Sequence, residues 1–346
     1  MDVDTVSSRT EELLRLLEGR QRLLLLTHTN PDPDSLGSAM GLSLLAREAC
    51  GLESDFALAG RIMRAENKEM VRRLNGTMPM IPLSALNLAD YDCLAVVDTQ
   101  PGFGHTTLPA GRNIDIVVDH HVGPDVEHNG HRPAFLDVRT QVGATSSMVT
   151  CYIIDAGVQV PSNVATALFY GIKTDTADLS RNVSAVDERA HDFLLDKLDR
   201  EHLASISRPA LPAAYFRALR QALNNVRLYD RIVLCSLGKI ESSEMVAEVA
   251  DLLLRLEHKD TVFCGGLVDH NYHISVRTEP GTRDAYELLE DALAGEGSFG
   301  GHGAVAGGSV VLPDDLPRTL KRLERRLEKN ILRCLGVDDV TVGGLG

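Results

Sequence analysis

Two rhythms of apolar residues run along this chain, one with helical spacing and one of short unbroken runs. Leu13, Leu14, Leu16 and Leu17 fall on one helical face behind the cap candidates Ser7 and Ser8, and Leu23 to Leu26 follow as a short apolar strand. The pattern then predicts a helix over Ser35 to Cys50, a strand near Asp55 to Leu58, a helix near Ala65 to Leu74, and strands at Cys93 to Val97 and Ile114 to Val118. Short apolar strands interleaved with helices predict a parallel sheet buried on both faces. Helices near Ala144 to Asp155 and Pro161 to Lys173 complete a first domain, residues 1–186.

From Asp187 to Val226 the chain reads as helical, broken at Arg208-Pro209 and Leu211-Pro212, and this stretch is expected to be a linker. A second alternation fills 227–346: strand Ile232 to Leu237, helix Ser243 to Leu256, strands Thr261 to Val268 and His273 to Arg277, helix Ala285 to Leu293, and strand Gly308 to Leu312. Gly307-Gly308 has the look of a turn. The tail from Asp314 to Leu335 reads as an amphipathic helix with its Lys, Arg and Glu residues on a solvated face. The fold class is therefore α/β in two domains, with a smaller C-terminal one.

Composition narrows the function. A chain of 346 residues exceeds one ordinary core and suits two domains. With 44% hydrophobic and 24% charged residues it reads as soluble and globular. No apolar run approaches the ~20 residues that span a bilayer. Met1 to Glu12 lacks the basic and apolar regions of a signal peptide. No membrane partner and a cytoplasmic location are expected. The six cysteines have no Cys-x-x-Cys spacing and read as reduced, mostly buried thiols. A net charge of −14 argues against a long nucleic-acid track but allows a short anionic substrate. Whether two copies pair as a homodimer is left open.

The candidate chemistry lies where strands end. His28-Thr29-Asn30-Pro31-Asp32-Pro33-Asp34 follows the first strand, Asp98 ends another, and Asp119-His120-His121 ends a third. Ligands of parallel sheets gather at the C-terminal strand ends, so these groups converge on one edge. Pro31 and Pro33 bias Asn30 and Asp32 toward extended backbone, which would let Asp32 and Asp34 point the same way. Carboxylates crowded this way repel one another unless cations neutralise them. A mixed imidazole and carboxylate shell suits Mn²⁺ or Co²⁺ better than Ca²⁺. Two such ions ~3.5 to 4 Å apart are a standard device for attacking a phosphate ester. Gly171-Ile172-Lys173-Thr174-Asp175-Thr176 and Gly300-Gly301-His302-Gly303 are further candidate segments. His105, His128, His131, His191, His202 and His258 have no motif around them and read as surface or loop residues.

In order and spacing these segments resemble the DHH family of phosphoesterases with a C-terminal DHHA1 domain, over roughly Leu23 to Leu312. That family contains short-oligoribonucleotide and cyclic-dinucleotide phosphodiesterases and RecJ-like exonucleases. The resemblance implies two divalent ions, Mn²⁺ foremost, with Co²⁺ or Mg²⁺ as alternatives. By it, His28, Asp32 and Asp98 hold one ion, and Asp34, a bridging Asp98, His120 and Asp175 hold the other. His121 then faces the scissile phosphate, Asp119 orients the neighbouring imidazole, and Arg277, Gly300, Gly301 and His302 bind substrate. The implied activity is hydrolysis of short nucleotides such as pApA to mononucleotides. Alternatives are an adenosine 3′,5′-bisphosphate phosphatase, a cyclic-dinucleotide phosphodiesterase, or a regulator that binds nucleotide without turnover. Pro33 stands where the oligoribonuclease branch commonly has Gly, and the run Gly300-Gly301 is shorter than that branch's.

Overall fold

The computed structural model describes residues 3–62, 64–74, 79–103, 106–123, 132–279, 281–314, 316–337 and 343–345. His105, His128 and His131 lie outside the described residues, as does the side chain of His302. The fold forms two compact units, Met1–Pro209 and Ala210–Gly346.

The first unit opens with α1 (Val3–Leu17), β1 (Arg22–Leu26), α2 (Pro33–Cys50), β2 (Glu53–Leu58), α3 (Ala65–Leu74) and β3 (Met80–Pro82). It continues through β4 (Cys93–Val97), β5 (Ile116–Asp119), β6 (Phe135–Val138), α4 (Thr145–Asp155), α5 (Ser162–Asp175), α6 (Ala185–Leu195) and α7 (Arg200–Ser207). The six strands are all parallel, in the order β3-β2-β1-β4-β5-β6. Strand order reverses direction between β1 and β4. A crevice opens at such a switch point, beyond the carboxyl ends of the two strands.

Strand alternation sorts the core into two layers. Leu23 and Leu25 of β1, with Ala95, Val97, Ile116 and Val118, join Leu13 and Leu17 of α1 and the apolar residues of α2, α4 and α5. Leu24 and Leu26, with Leu94, Val96 and Val117, face the opposite side. Both faces are buried, as the unbroken apolar runs required. The second face, however, packs partly against Leu83, Leu86, Leu88 and Leu108, from short 3₁₀ turns and loops.

The segment expected as a linker holds packed helices. Ala190, Leu194 and Ile206 of α6 and α7 enter the first unit's core. The helix α8 (Ala213–Asn224) puts Ala222 into a core of the second unit.

The second unit contains β7 (Arg227–Tyr229), β8 (Ile232–Lys239), α9 (Glu244–Leu253), β9 (Thr261–Val268), β10 (Asn271–Thr278), α10 (Ala285–Leu293), β11 (Ser298–His302), β12 (Val305–Val311) and α11 (Pro317–Leu335). Its mixed sheet runs β11-β12-β10-β9-β8-β7, antiparallel except for β8 against β9. Gly307 and Gly308 are strand residues of β12, not a turn. α11 also departs from expectation. Glu324 accepts from Ser236 Oγ, and Glu328 accepts from Tyr229 OH at 2.5 Å and from Arg227. Two of its acids therefore turn toward the sheet, where the buried Tyr229 hydroxyl needs an acceptor.

Close approach of α2, α4 and α5 positions the start of α2. A Cβ added at Gly171 of α5 would lie 2.5 Å from Ser146 Oγ and 3.0 Å from Asp34 Cα. Alanine inside a helix normally gains about 1 kcal/mol over glycine. Here overpacking should win, and Gly171→Ala should destabilise the protein by about 1–3 kcal/mol. Urea unfolding checks this: the midpoint should fall, and a higher midpoint contradicts the packing account.

Candidate metal centre

His28 follows β1 and Asp98 follows β4, the adjacent strands at the switch point. Asp119 ends β5, so His120 and His121 stand beside them. Asp32 is the N-cap of α2, extended at φ −95° and ψ −176°, and accepts from Ser35 N at 3.0 Å. Pro33 occupies the first helical turn, where its missing N–H costs nothing. Asp34 is therefore already helical, and the expected run of extended backbone through Asp34 does not occur. The cap geometry, not strand alternation, turns both carboxylates toward the crevice.

Asp34 is fully buried, and its two oxygens accept from Thr145 N and Ser146 N, each at 2.7 Å. It thereby caps α4 from another helix, since Ala144 at the N-cap has no side-chain acceptor. Asp98 is also buried, with φ +59°, a left-handed backbone that non-glycine residues rarely adopt. Its Oδ2 accepts from Ser35 Oγ at 2.6 Å and its Oδ1 from Thr145 Oγ1 at 3.0 Å. Oδ2 lies 4.0 Å from His28 Nε2, while Oδ1 lies 3.7 Å from His120 Nε2 and 3.9 Å from His121 Nδ1. One carboxylate thus faces two separate sets of groups.

The histidine rings are held from behind. His120 Nδ1 is 3.1 Å from Val142 O, which can only accept, so Nδ1 carries the proton. Its Nε2 is buried and has no hydrogen bond among the described residues. It faces Asp175 Oδ2 at 3.2 Å, Asp98 Oδ1 at 3.7 Å and Asp34 Oδ2 at 3.9 Å. Asp119 Oδ1 accepts from His120 N and from His121 Nδ1, both at 2.8 Å, and Oδ2 accepts from Gln100 Nε2 at 2.7 Å. Asp119 therefore orients the ring of His121. Asp175 is the last residue of α5, at the helix end that disfavours anions.

Among the described residues, three sets could hold a cation: His28, Asp32 and Asp98; Asp34, His120 and Asp175; and Asp98, His120 and His121. Electrostatics point the same way. Burial, then the Asp175 carboxylate, push Asp34 up to about 6, with His120 opposing. Burial and the carboxylates of Asp34, Asp32 and Asp175 hold Asp98 well above the usual range. Burial disfavours a charged His120, yet Asp175 and Asp34 outweigh it and lift His120 to about 9. Burial would raise Asp32, but His28 holds it below the usual carboxylate range. A proton on His120 takes the place of a cation. An unpartnered buried nitrogen and carboxylates that resist ionisation fit a divalent ion of the Mn²⁺ class.

In the second unit Arg277 of β10 is buried, not a surface charge. Its Nε donates to Asp251, and its Nη1 donates to Ser275 Oγ at 2.7 Å and to Val276 O at 3.0 Å. Gly300 and Gly301 lie in the edge strand β11, opposite Gly307 and Ala306. Backbone register puts Arg277, Val305 and His302 in one row across three strands. Sequence reasoning passed over Ser35, Thr145, Ser146 and Gln100. Consecutive small hydroxyl residues at 145–147, opening a mostly buried helix, were the available signal.

The chain matches the model of the DHH family, N-terminal domain, over residues 22–172, and that of the DHHA1 domain over residues 230–329. It carries a DHH-family N-terminal domain and a DHHA1 domain. It is 34% identical over 338 residues to an uncharacterized protein of Methanocaldococcus jannaschii, a match covering 96% of this chain and 66% of that one. It is 27% identical over 157 residues to a probable manganese-dependent inorganic pyrophosphatase of Streptococcus agalactiae, covering 45% of this chain and 48% of the relative. The chain therefore spans from about half to about two thirds of the length of these relatives. An exopolyphosphatase-related protein from Bacteroides fragilis shares the fold, with TM-score 0.73, 17% identity, and 95% and 97% of the two chains covered.

The raised groups set a pH dependence. Asp34, at about 6 against an ordinary 3.8, and His120, at about 9 against 6.5, both bind protons more tightly when folded. Their contribution is complete below 3.8 and 6.5 and is lost as pH rises through 6 and 9. Asp32, held low, titrates below this window. The metal-free protein should therefore lose Tm steadily from about pH 6.5 to 9, and saturating Mn²⁺ should remove that loss. Melting in chelator and in Mn²⁺ tests it; a metal-free Tm that climbs toward pH 9 would contradict the assignment.

Proposed function

We propose that this chain is a two-metal phosphodiesterase that hydrolyses short nucleotides, such as pApA-type dinucleotides, to mononucleotides. The observation that carries the reading is Asp98, whose two oxygens face different histidine and carboxylate sets. His28 and Asp32 with Asp98 would hold one ion, and Asp34, His120 and Asp175 with Asp98 the other. No helix among the described residues is long and apolar enough to cross a membrane.

When bound, the ions supply Lewis acidity toward phosphoryl oxygens and acidify water. The protein's own groups do the rest. Asp98 sets the spacing of the two sets, and its backbone strain is held by the Asp98 N bond to Val118 O at 2.9 Å. His121, with Nδ1–H fixed on Asp119, presents Nε2 to exchange a proton or hydrogen bond with the reacting phosphate. Similarity to a manganese-dependent pyrophosphatase supports manganese and phosphoryl hydrolysis, but that match covers less than half of this chain. The acidic charge of −14 favours short substrates over long strands. Arg277, with Gly300, Gly301 and His302, is the proposed recognition element of the second unit, its fork steadied by Asp251 and Ser275.

Purified protein should hydrolyse pApA fastest in a panel with longer oligoribonucleotides, a cyclic dinucleotide, adenosine 3′,5′-bisphosphate and pyrophosphate, all with Mn²⁺. Asp98→Ala should reduce turnover to background. Faster turnover of the bisphosphate or pyrophosphate would replace the substrate assignment, and nucleotide binding without turnover would favour a regulator.

Arg277→Ala should lower kcat/KM for pApA by ~1.5–3 kcal/mol, the loss of a charged hydrogen bond. A small generic phosphodiester should be little affected. Equal losses on both substrates would remove Arg277 from recognition.

A further inference from the structure

We propose that Asp187 is a positioning residue for the metal centre, a clamp that fixes His120 and Asp175 together; this rests on the two-metal reading above. Asp187 is fully buried, in the first turn of α6. Its Oδ2 accepts from Ser184 N at 2.8 Å and Ser184 Oγ at 2.6 Å, and also from Gly143 N at 2.9 Å. The bond from Ser184 N is half of a capping box, which any exposed helix start can make. The Gly143 bond reaches a different loop, 44 residues away in sequence.

That loop presents Val142 O to His120 Nδ1, the bond that leaves His120 Nε2 facing the carboxylates. Gly143 is wedged tightly: a Cβ there would lie 2.7 Å from Thr176 Cγ2, 2.8 Å from Asn182 O and 3.2 Å from Asp187 Oδ2. The loop that orients His120 therefore rests on the segment that follows Asp175. This segment is strained, with Ala177, Asp178, Leu179 and Asn182 at φ of 48°, 58°, 58° and 51°. Strain of this kind persists only where surrounding bonds hold it. Arg181 Nη2 donates to Asp175 O at 3.0 Å at one end, and Asp187 holds Ser184 at the other.

Asp187 Oδ1 is buried with no hydrogen-bond partner among the described residues, so the bonds of this carboxylate are those that Oδ2 gathers. An amide would keep that acceptor. Asp187→Asn should therefore rescue what Asp187→Ala loses.

The test is Mn²⁺ binding by titration calorimetry on the full chain. Wild type should bind two ions. Asp187→Ala should keep one at wild-type affinity and weaken the other by about 10- to 100-fold, as losses behind a ligand do. Asp187→Asn should stay near wild type. Asp187→Ala added to a variant already carrying His120→Ala and Asp175→Ala should bind no worse than that variant alone, because the clamp acts only through those two side chains. Should Asp187→Ala fail to fold, Gly143→Ala, which forces the same loops apart, should show the same selective loss. Wild-type binding of both ions in the alanine variants, equal weakening of both, or a further loss on top of His120→Ala with Asp175→Ala would overturn the clamp. A wild type that binds no Mn²⁺ would overturn the two-metal reading as well.

Discussion

Three carboxylates, those of Asp34, Asp98 and Asp175, point at one imidazole nitrogen, His120 Nε2. His120 Nδ1 donates to Val142 O, so with the ring neutral Nε2 offers only a lone pair to groups that are themselves acceptors. Four acceptors crowded against one another repel. The protein can resolve this by protonating His120 and keeping Asp98 neutral, or by admitting cations. The rest of the first unit is built so that this repulsion is available for binding rather than relieved by rearrangement.

The scaffold's contribution is stiffness. β1 and β4, buried on both faces, deliver His28 and Asp98 side by side at the switch point. Asp34 cannot swing away, since its oxygens satisfy the start of α4 and its backbone is pressed against Gly171 of α5. Asp98 remains in a left-handed conformation because its backbone N–H and both carboxylate oxygens are engaged. Side chains in such a packed setting have few alternative rotamers. Geometry set by folding therefore stands in for entropy that binding would otherwise lose.

Much of this arrangement is legible in the order of residues alone, for a physical reason. Runs such as Leu23 to Leu26 and Cys93 to Val97 have no polar face, which only a strand buried on both sides tolerates, and a parallel sheet then dictates where His28 and Asp98 end up. What stays hidden is set by tertiary contact. The short strands β3, β6, β7 and β11 carry too few residues to show a period. The turn of Glu324 and Glu328 toward the sheet depends on Ser236 and Tyr229, far away in sequence. Capping of α4 by Asp34 joins residues 111 and 112 positions apart, and no local pattern announces it. The Pro33 that suggested extended backbone marks a helix start because Asp32 finds Ser35 N.

Everything in the proposed chemistry turns on Asp98 separating two cation sites. Diffraction from crystals grown with Mn²⁺, recorded at the manganese absorption edge, addresses this directly. Two anomalous peaks should appear, one beside His28 and Asp32 and one beside His120 and Asp175, each next to a different oxygen of Asp98. A single peak, or peaks that leave Asp98 untouched, would contradict the account.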